Sequence, residues 1–349
     1  MEIITFGGEA LKAIQLIEPN VLIEKNLSNP TPAAGEVVIK VKSVGICGTD
    51  VGIYRGNMEV KYPIVLGHEF CGFVVEIGDG VTNVKIGDYV ISEPSWGCGV
   101  CYYCQRGTPS YCCEPRMYGR TCDGALAEYV KSPAGIIHKI SSYIQPIEAQ
   151  SVTSIATALR GIKRSNLKVG QSVVIQGPGY SGLNLAQLAK ISGASPVIVT
   201  GTRDMRLELA KQVGADVIVN VNETNWQNKI LEATNGRGPD VVIEATGRPD
   251  AIPQAIDMVK MGGTILVFSV TNGVVMELQA VKLYRKDISL IGNKGGYFEY
   301  GNAIELLESG IIKEREMVSH TFSLCDTPQA FDFAINHKSE VMRSVILFD

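Results

Sequence analysis

The 349-residue sequence contains no long apolar segment. No uninterrupted apolar run approaches the roughly 18 residues that a membrane-spanning helix requires, so we expect no membrane partner. The N-terminus also lacks a basic region followed by an apolar segment, which is the pattern of a secretory signal. We therefore expect a cytoplasmic protein.

The sequence also lacks a large excess of either positive or negative charge. The formal net charge is -4, from 32 Lys and Arg against 36 Asp and Glu, and no run of basic residues occurs. This balance argues against nucleic acid as a partner. The sequence does contain 45% hydrophobic residues and 37 glycines, which is typical of a globular α/β protein, and its length predicts two domains.

The nine cysteines do not have the spacing of a disulfide framework. Four of them crowd into one short segment, at Cys98, Cys101, Cys104 and Cys112. Their separations of two, two and seven residues let backbone turns aim four thiolates at one point, as in a structural zinc site with no position open for a substrate. An iron–sulfur cluster is the competing interpretation. Cys113 is an alternative fourth ligand.

Residues 45–72 carry a second group of metal-binding side chains. The thiol of Cys47, the imidazole of His68 and the carboxylate of Glu69 suit zinc. Taken alone, the same residues are also compatible with a buried free cysteine and a hydrogen-bonded histidine. The rest of the chain has to decide between these interpretations.

The chain changes character near residue 148. Before about residue 141, short strands and turns predict a small β-barrel. From about residue 148 a helical spacing of apolar residues begins, and strands then alternate with helices, which predicts a parallel sheet covered on both faces. The apolar end of the chain predicts a last strand that rejoins the first domain.

A glycine-rich turn lies between a strand and a helix of this second region. Gly177 permits the tight turn, Gly179 lets a pyrophosphate approach the backbone, and Gly182 lets the helix pack on the strand. We predict a dinucleotide site here. Tyr180 and Ser181, which lie within the turn, are further candidate contacts.

The end of the second strand of this region should select the cofactor. An acid there would hold the ribose hydroxyls of NAD, but the chain has Gly201, Thr202 and Arg203. A hydroxyl and a guanidinium can bind a 2′-phosphate, which favours NADP. Asp204 could cap the helix that follows, and NAD stays the alternative if Asp204 binds the ribose. Arg343 is a further candidate cofactor contact.

With these three motifs in this order, the chain resembles the zinc-containing medium-chain dehydrogenase/reductase family, from about Lys12 onward. The family includes alcohol, sorbitol and threonine dehydrogenases. The resemblance implies a GroES-like β-barrel catalytic domain (1–158 and 297–349) with a structural zinc lobe at about 95–115. It also implies a Rossmann doubly wound domain (159–296) and a homodimer or homotetramer.

The resemblance further implies that Cys47 and His68 ligate a catalytic zinc, which makes two zinc ions per chain, with Glu69 a ligand or a near neighbour. Thr49 would pass on the proton of the substrate hydroxyl. Asp50 would orient the imidazole of His68. The expected substrate is a small alcohol or ketone, of polyol or sugar-derived type.

Two positions depart from the family pattern. Gly52 stands where many members have a proton-carrying His, and Thr153 stands where the third protein ligand usually lies. The site then depends on Glu69, unless Glu148 reaches in. The leading hypothesis is an NADP-preferring zinc dehydrogenase. The alternatives are an NAD-dependent member of the family, or a nucleotide-binding protein with a degraded catalytic zinc site.

Overall fold

The computed structural model describes residues 10–269 and 278–349. The chain divides into two compact units. The first unit consists of the described residues up to Thr153, with Tyr300–Ser309 and Glu314–Asp349. The second consists of the described residues of Ser154–Glu299, with Gly310–Lys313. The boundaries inferred from sequence, at 158/159 and 296/297, differ from these by a few residues and stay predictions.

Short strands dominate the N-terminal part, as predicted. Its strands and helices are Ala10–Glu18 (β1), Val21–Ser28 (β2), Glu36–Gly45 (β3), Gly48–Tyr54 (α1), Ile64–Val65 (β4), Phe70–Ile77 (β5), Tyr89–Ser92 (β6), Ser95–Trp96 (β7), Tyr102–Gln105 (α2), Arg116–Met117 (β8), Tyr129–Pro133 (β9), Ile137–Lys139 (β10), Pro146–Ala149 (α3) and Val152–Ser165 (α4).

Strands and helices then alternate. They are Val173–Gln176 (β11), Tyr180–Ile191 (α5), Val197–Gly201 (β12), Asp204–Val213 (α6), Val217–Asn220 (β13), Trp226–Ala233 (α7), Val241–Glu244 (β14), Ala251–Met258 (α8), Thr264–Val267 (β15), Ala280–Lys286 (α9) and Ser289–Gly292 (β16). The C-terminal elements are Tyr300–Glu308 (α10), His320–Phe322 (β17), Thr327–Asn336 (α11) and Ser344–Leu347 (β18).

The largest sheet of the first unit is built around β3. Its order is β10-β6-β5-β3-β18-β17, and β9 also pairs with β3. Along β3 the valines are buried while Lys40 and Lys42 stay half-exposed, as its alternating sequence predicts. The return of the last strand is confirmed, because β18 pairs antiparallel with β3 and sets Val345 opposite Gly45.

The sheet of the second unit is parallel throughout, as predicted from its apolar strands. Its order is β13-β12-β11-β14-β15-β16. From β11 the chain first adds β12 and β13 on one side, and it then adds β14, β15 and β16 on the other side. Ligands of such sheets bind outside the carboxyl ends of the strands at this switch point, where the turn after β11 lies.

Two details differ from the expectations. The helix predicted from about residue 148 is two helices, α3 and α4, separated at Gln150 and Ser151. Asp204, expected to cap α6, is its first residue, and Arg203 is the N-cap. The Asp204 carboxylate instead accepts a hydrogen bond from Asn220 at 2.7 Å. The helices within residues 10–269 and 278–349 include none with both the length and the apolar content of a membrane span.

Asp240 joins the starts of the two central strands of the parallel sheet. Its carboxylate accepts hydrogen bonds from the amide (2.9 Å) and hydroxyl (2.7 Å) of Ser172, and pairs with Lys260 at 2.5 Å. Burial raises the pKa of Asp240. Lys260 and Ser172 outweigh burial and hold the pKa below its ordinary value.

We expect Asp240→Asn to lower the free energy of unfolding by ~1–2 kcal/mol at neutral pH, because an ion pair and charge-assisted hydrogen bonds are lost. Since the folded-state pKa is lowered, this stabilisation is present above the unfolded-state pKa of about 3.9 and is lost as the pH falls through the folded-state pKa. Urea unfolding of both proteins at neutral pH and at about pH 3 measures the difference.

The control is Asp257→Asn, because the Asp257 carboxylate is exposed and pairs with Lys282 at the surface. An effect of Asp240→Asn that equals the control, or that does not shrink in acid, would contradict the assignment.

Candidate active site and metal centres

The antiparallel pairing of β3 and β5 brings the predicted metal ligands together. Cys47 caps α1 just after β3 ends, and His68 and Glu69 directly precede β5. The Gly45 amide donates to the Glu69 carbonyl at 2.8 Å. The ligand atoms of Cys47, His68 and Glu69, here called the Cys47 cluster, lie within 4.8 Å of one another.

Asp50 contacts both ends of this stretch. Its buried carboxylate accepts hydrogen bonds from the amides of Cys47 (2.9 Å) and Gly67 (3.2 Å), and lies 3.1 Å from Nδ1 of His68. Burial raises the pKa of Asp50, but His68 and the two amides outweigh burial and hold that pKa below its usual value. A carboxylate that accepts the Nδ1 proton leaves Nε2 of His68 as the ligand atom.

The Cys47 cluster fits a zinc ion. Bonds of about 2.3 Å to sulfur and about 2.0–2.2 Å to nitrogen or oxygen place tetrahedral ligand atoms roughly 3.3–3.8 Å apart, which the observed separations allow. A thiolate, an imidazole and a carboxylate are the donors that zinc takes in proteins, and three protein ligands leave a position for substrate. The assignment of zinc to these residues stays a prediction.

Glu69 has a second role in the first unit. Its carboxylate forms a buried ion pair with the guanidinium of Arg343. Arg343 also donates to the Ile46 carbonyl at 2.9 Å and to the side-chain oxygen of Gln150 at 2.8 Å. A Cβ at Gly45 would lie 2.0 Å from both Arg343 and Gln150, so Gly45 makes room for this network.

Sequence reasoning missed this network. Arg343 was predicted as a cofactor contact, and that contact stays a prediction. The structure places the Arg343 side chain against the metal-binding stretch. No sequence signal could have paired it with Glu69, because 274 residues separate the two in the chain. Only the pairing of β18 with β3 brings them together.

The remaining predicted residues of this site lie on three helices, α1, α3 and α4. Thr49 is in the first turn of α1, two residues after Cys47, and Gly52 follows on the same helix. Thr153 is buried in the first turn of α4. Glu148 is half-buried on α3. Among the described residues, the ligand atoms that lie close to Cys47 Sγ belong to His68 and Glu69, and Glu148 is outside this group.

The four-cysteine segment forms the second cluster. The sulfur atoms of Cys98, Cys101, Cys104 and Cys112, here called the Cys98 cluster, lie within 4.8 Å of one another. The Cys98 amide donates to Cys112 Sγ at 3.2 Å. Cys113 is exposed and outside this group, so the geometry favours Cys112 as the fourth ligand. Four thiolates at this spacing fit a structural zinc.

In the second unit, the glycine turn has the geometry that a pyrophosphate requires. Gly177 has a φ of +102°, which favours glycine. A Cβ at Gly182 would lie 1.9 Å from the Gly177 carbonyl, whereas a Cβ at Gly179 would meet nothing within 4 Å. Gly179 caps α5, and Tyr180 and Ser181 form its first turn. Open space therefore lies at the positive end of this helix.

The end of β12 is closed to a larger side chain. A Cβ at Gly201 would lie 2.5 Å from the ring of Pro178. Thr202 and Arg203 are exposed beyond it. Burial, and then the charge of Arg203, lower the pKa of Arg206, so these two guanidinium groups influence each other. Sequence reasoning missed Arg206, although it lies only one helical turn beyond Arg203.

Comparison with known proteins agrees with this geometry. Residues 33–142 match the family described as the alcohol dehydrogenase GroES-like domain, and residues 182–309 match the zinc-binding dehydrogenase family. Together with the parallel sheet, these matches confirm the predicted fold, a GroES-like domain with a Rossmann doubly wound domain.

Individual relatives cover nearly the whole chain. D-arabinitol dehydrogenase 1 of Uromyces fabae is 34% identical over 85% of this chain and 86% of its own length. L-threonine 3-dehydrogenase of Pyrococcus horikoshii is 35% identical over 90% of this chain and 92% of its own. A solved structure from Sinorhizobium meliloti 1021, described as a zinc-binding dehydrogenase bound to NADP, has a TM-score of 0.92 at 29% identity, covering 98% of this chain and 100% of that chain.

The two glycines of the turn form a matched pair. We expect Gly182→Ala to lower the melting temperature by several degrees, because the new methyl group overlaps the Gly177 carbonyl. Gly179→Ala should keep the melting temperature but weaken NADPH binding about tenfold, because its methyl group enters the open space. Calorimetry and fluorescence titration measure the two effects. A melting temperature of Gly182→Ala equal to that of Gly179→Ala, or an unchanged affinity of Gly179→Ala for NADPH, would contradict this view of the turn.

Zinc analysis tests the two clusters. We expect about two zinc ions per chain in the wild type and about one in Cys47→Ser, Glu69→Ala and Cys112→Ser, because each loses one site. Thr153→Ala and Cys113→Ser are the matched controls and should retain both ions. Inductively coupled plasma mass spectrometry gives the counts. Iron in place of zinc would refute the structural zinc, and two ions in Glu69→Ala would remove Glu69 as a ligand.

Proposed function

The chain belongs to the zinc-containing medium-chain dehydrogenase/reductase family, and from that membership we propose that it transfers hydride between NADP(H) and a secondary alcohol or its ketone. It is an NAD(P)-dependent dehydrogenase that acts on CH–OH groups. The observation that carries the proposal is the meeting of thiol, imidazole and carboxylate in the Cys47 cluster, with Asp50 on the far side of His68.

The residues of the first unit would prepare the substrate. A zinc ion held by the Cys47 cluster would supply Lewis acidity toward a hydroxyl, and a nicotinamide would accept the hydride. Asp50 holds Nδ1 of His68 and so keeps Nε2 directed at the ligand position. Thr49 has the hydroxyl that would receive the substrate proton. With Gly52 in place of a His, water or the cofactor ribose would carry that proton onward.

Three features near the end of β12 support NADP over NAD. Gly201 leaves no room for the acid that would hold the ribose hydroxyls of NAD. Asp204, the alternative acid, is engaged by Asn220. Arg203 and Arg206 repel each other, and a doubly charged 2′-phosphate would relieve that repulsion.

The proposed substrate is a polyol or a sugar-derived alcohol. D-arabinitol, in the name of one relative, is a polyol, whereas L-threonine, in the name of another at similar identity, carries its hydroxyl beside an amino acid group. An assay of this chain therefore has to include both classes. Assembly as a homodimer or homotetramer stays a prediction.

The coenzyme preference tests the proposal. We expect wild-type protein to reduce NADP faster than NAD with a polyol such as arabinitol or sorbitol. Arg203→Ala and Arg206→Ala should each lower the ratio of kcat/KM for NADP over NAD by about tenfold, because each removes a phosphate-binding cation. Absorbance of the reduced nicotinamide measures both rates.

Arg237→Ala is the matched control, since Arg237 is exposed and lies before the start of β14, whereas Arg203 follows the end of β12. The ratio for this variant should stay at the wild-type value. An unchanged ratio in Arg203→Ala would favour the NAD-dependent alternative. Binding of NADPH with no turnover of any polyol, amino alcohol or ketone would favour a nucleotide-binding protein without dehydrogenase activity.

A further inference from the structure

Glu244 is a fully buried carboxylate at the end of β14. One of its oxygens, Oε1, accepts three hydrogen bonds. These come from the amide of Thr246 (2.6 Å), the hydroxyl of Thr246 (2.7 Å) and the amide of Gly247 (2.7 Å). A buried oxygen that accepts three hydrogen bonds ties both residue 246 and residue 247 to Glu244, so this single oxygen constrains the conformation of the turn at residues 245–247.

The hydroxyl of Thr246 extends the same network. It accepts a hydrogen bond from the amide of Arg248 at 3.0 Å while it donates to Glu244. The Arg248 side chain in turn pairs with Asp250, which directly precedes α8. A chain of polar contacts therefore runs through the connection between β14 and α8, from the buried Glu244 to the exposed pair of Arg248 and Asp250.

This turn supports the glycine turn that follows β11. A Cβ at Gly177 would lie 2.8 Å from the methyl group of Thr246 and 3.1 Å from the carbonyl of Ala245. The two turns follow adjacent parallel strands, in which Gln176 and Glu244 are register partners. They lie at the switch point of the sheet, where a dinucleotide binds.

The second oxygen of Glu244 is also informative. Glu244 Oε2 and Gln176 Oε1 are buried acceptors with no hydrogen-bond partner within the described part of the chain. The Gln176 nitrogen already donates to the Ala251 carbonyl at 3.1 Å. A glutamine at position 244 would keep the accepting oxygen and offer an N–H to its neighbour, so it should preserve the turn.

We propose that Glu244 is a positioning residue of the nucleotide site, which seats Thr246 against the Gly177 turn and thereby sets the affinity for the dinucleotide pyrophosphate. The proposal rests on the proposed function. Because Glu244 is buried behind the turn, it would act on cofactor binding and not on the chemical step. The pyrophosphate is common to NADP and NAD, so the effect should not depend on which of them the chain prefers.

Fluorescence titration with NADPH and with NADH, and kcat at saturating cofactor, test the proposal. Glu244→Ala should raise the dissociation constant about tenfold while kcat stays within about twofold, because three donors lose their acceptor. Glu244→Gln should restore affinity to within about threefold of wild type. Thr246→Val, which loses only the hydroxyl, should give an intermediate loss. Asp257→Ala is the control and should bind as wild type does.

Unchanged affinity in Glu244→Ala would overturn the proposal, as would a Glu244→Gln protein that binds as weakly as Glu244→Ala. If Glu244→Ala does not fold, Thr246→Val decides, and wild-type affinity in that variant overturns the proposal. A wild-type chain that binds neither NADPH nor NADH would refute the proposed function itself. A chain that binds NADH better refutes only the coenzyme preference, and NADH then serves as the probe.

Discussion

The hydrogen bonds to the Asp50 carboxylate are the interaction on which the candidate metal site depends. A buried carboxylate is costly unless hydrogen-bond donors surround it. Asp50 obtains its donors from both ends of one stretch, the amide of Cys47 on one side and the amide of Gly67 with the ring of His68 on the other. The β3–β5 pairing sets the two ends of this stretch side by side, so these donors converge on the Asp50 carboxylate.

Arg343 adds a second constraint on the same site. Its guanidinium lies between the C-terminal strand and the metal-binding stretch, paired with Glu69 and hydrogen-bonded to Gln150. Removal of one partner from a buried ion pair leaves an uncompensated charge. As a predicted zinc ligand, Glu69 would face two cations, and Arg343, which directly precedes β18, places positive charge beside the candidate catalytic site.

In the second unit, close packing against the backbone shapes the glycine turn. Gly182 packs its Cα against the Gly177 carbonyl, and Thr246 closes the other side of the same turn. Glycine is needed at position 182 because a side chain would meet the Gly177 carbonyl, which cannot move aside as a flexible side chain can. At position 177 it is needed because φ is +102° and a Cβ would lie 2.8 Å from the Thr246 methyl group. The open space at Gly179 is what this close packing leaves for a ligand.

The sequence by itself determined the barrel and parallel-sheet regions, the two groups of metal-binding residues and the glycine turn, because these depend on local periodicity and short spacings. It did not predict the break between α3 and α4, the engagement of Asp204 by Asn220, or the surroundings of Arg206 and Glu244. Only the tertiary structure decided that Arg343 lies against Glu69 and that Glu148 lies outside the Cys47 cluster. Such contacts join residues far apart in the chain, and strand pairing creates them.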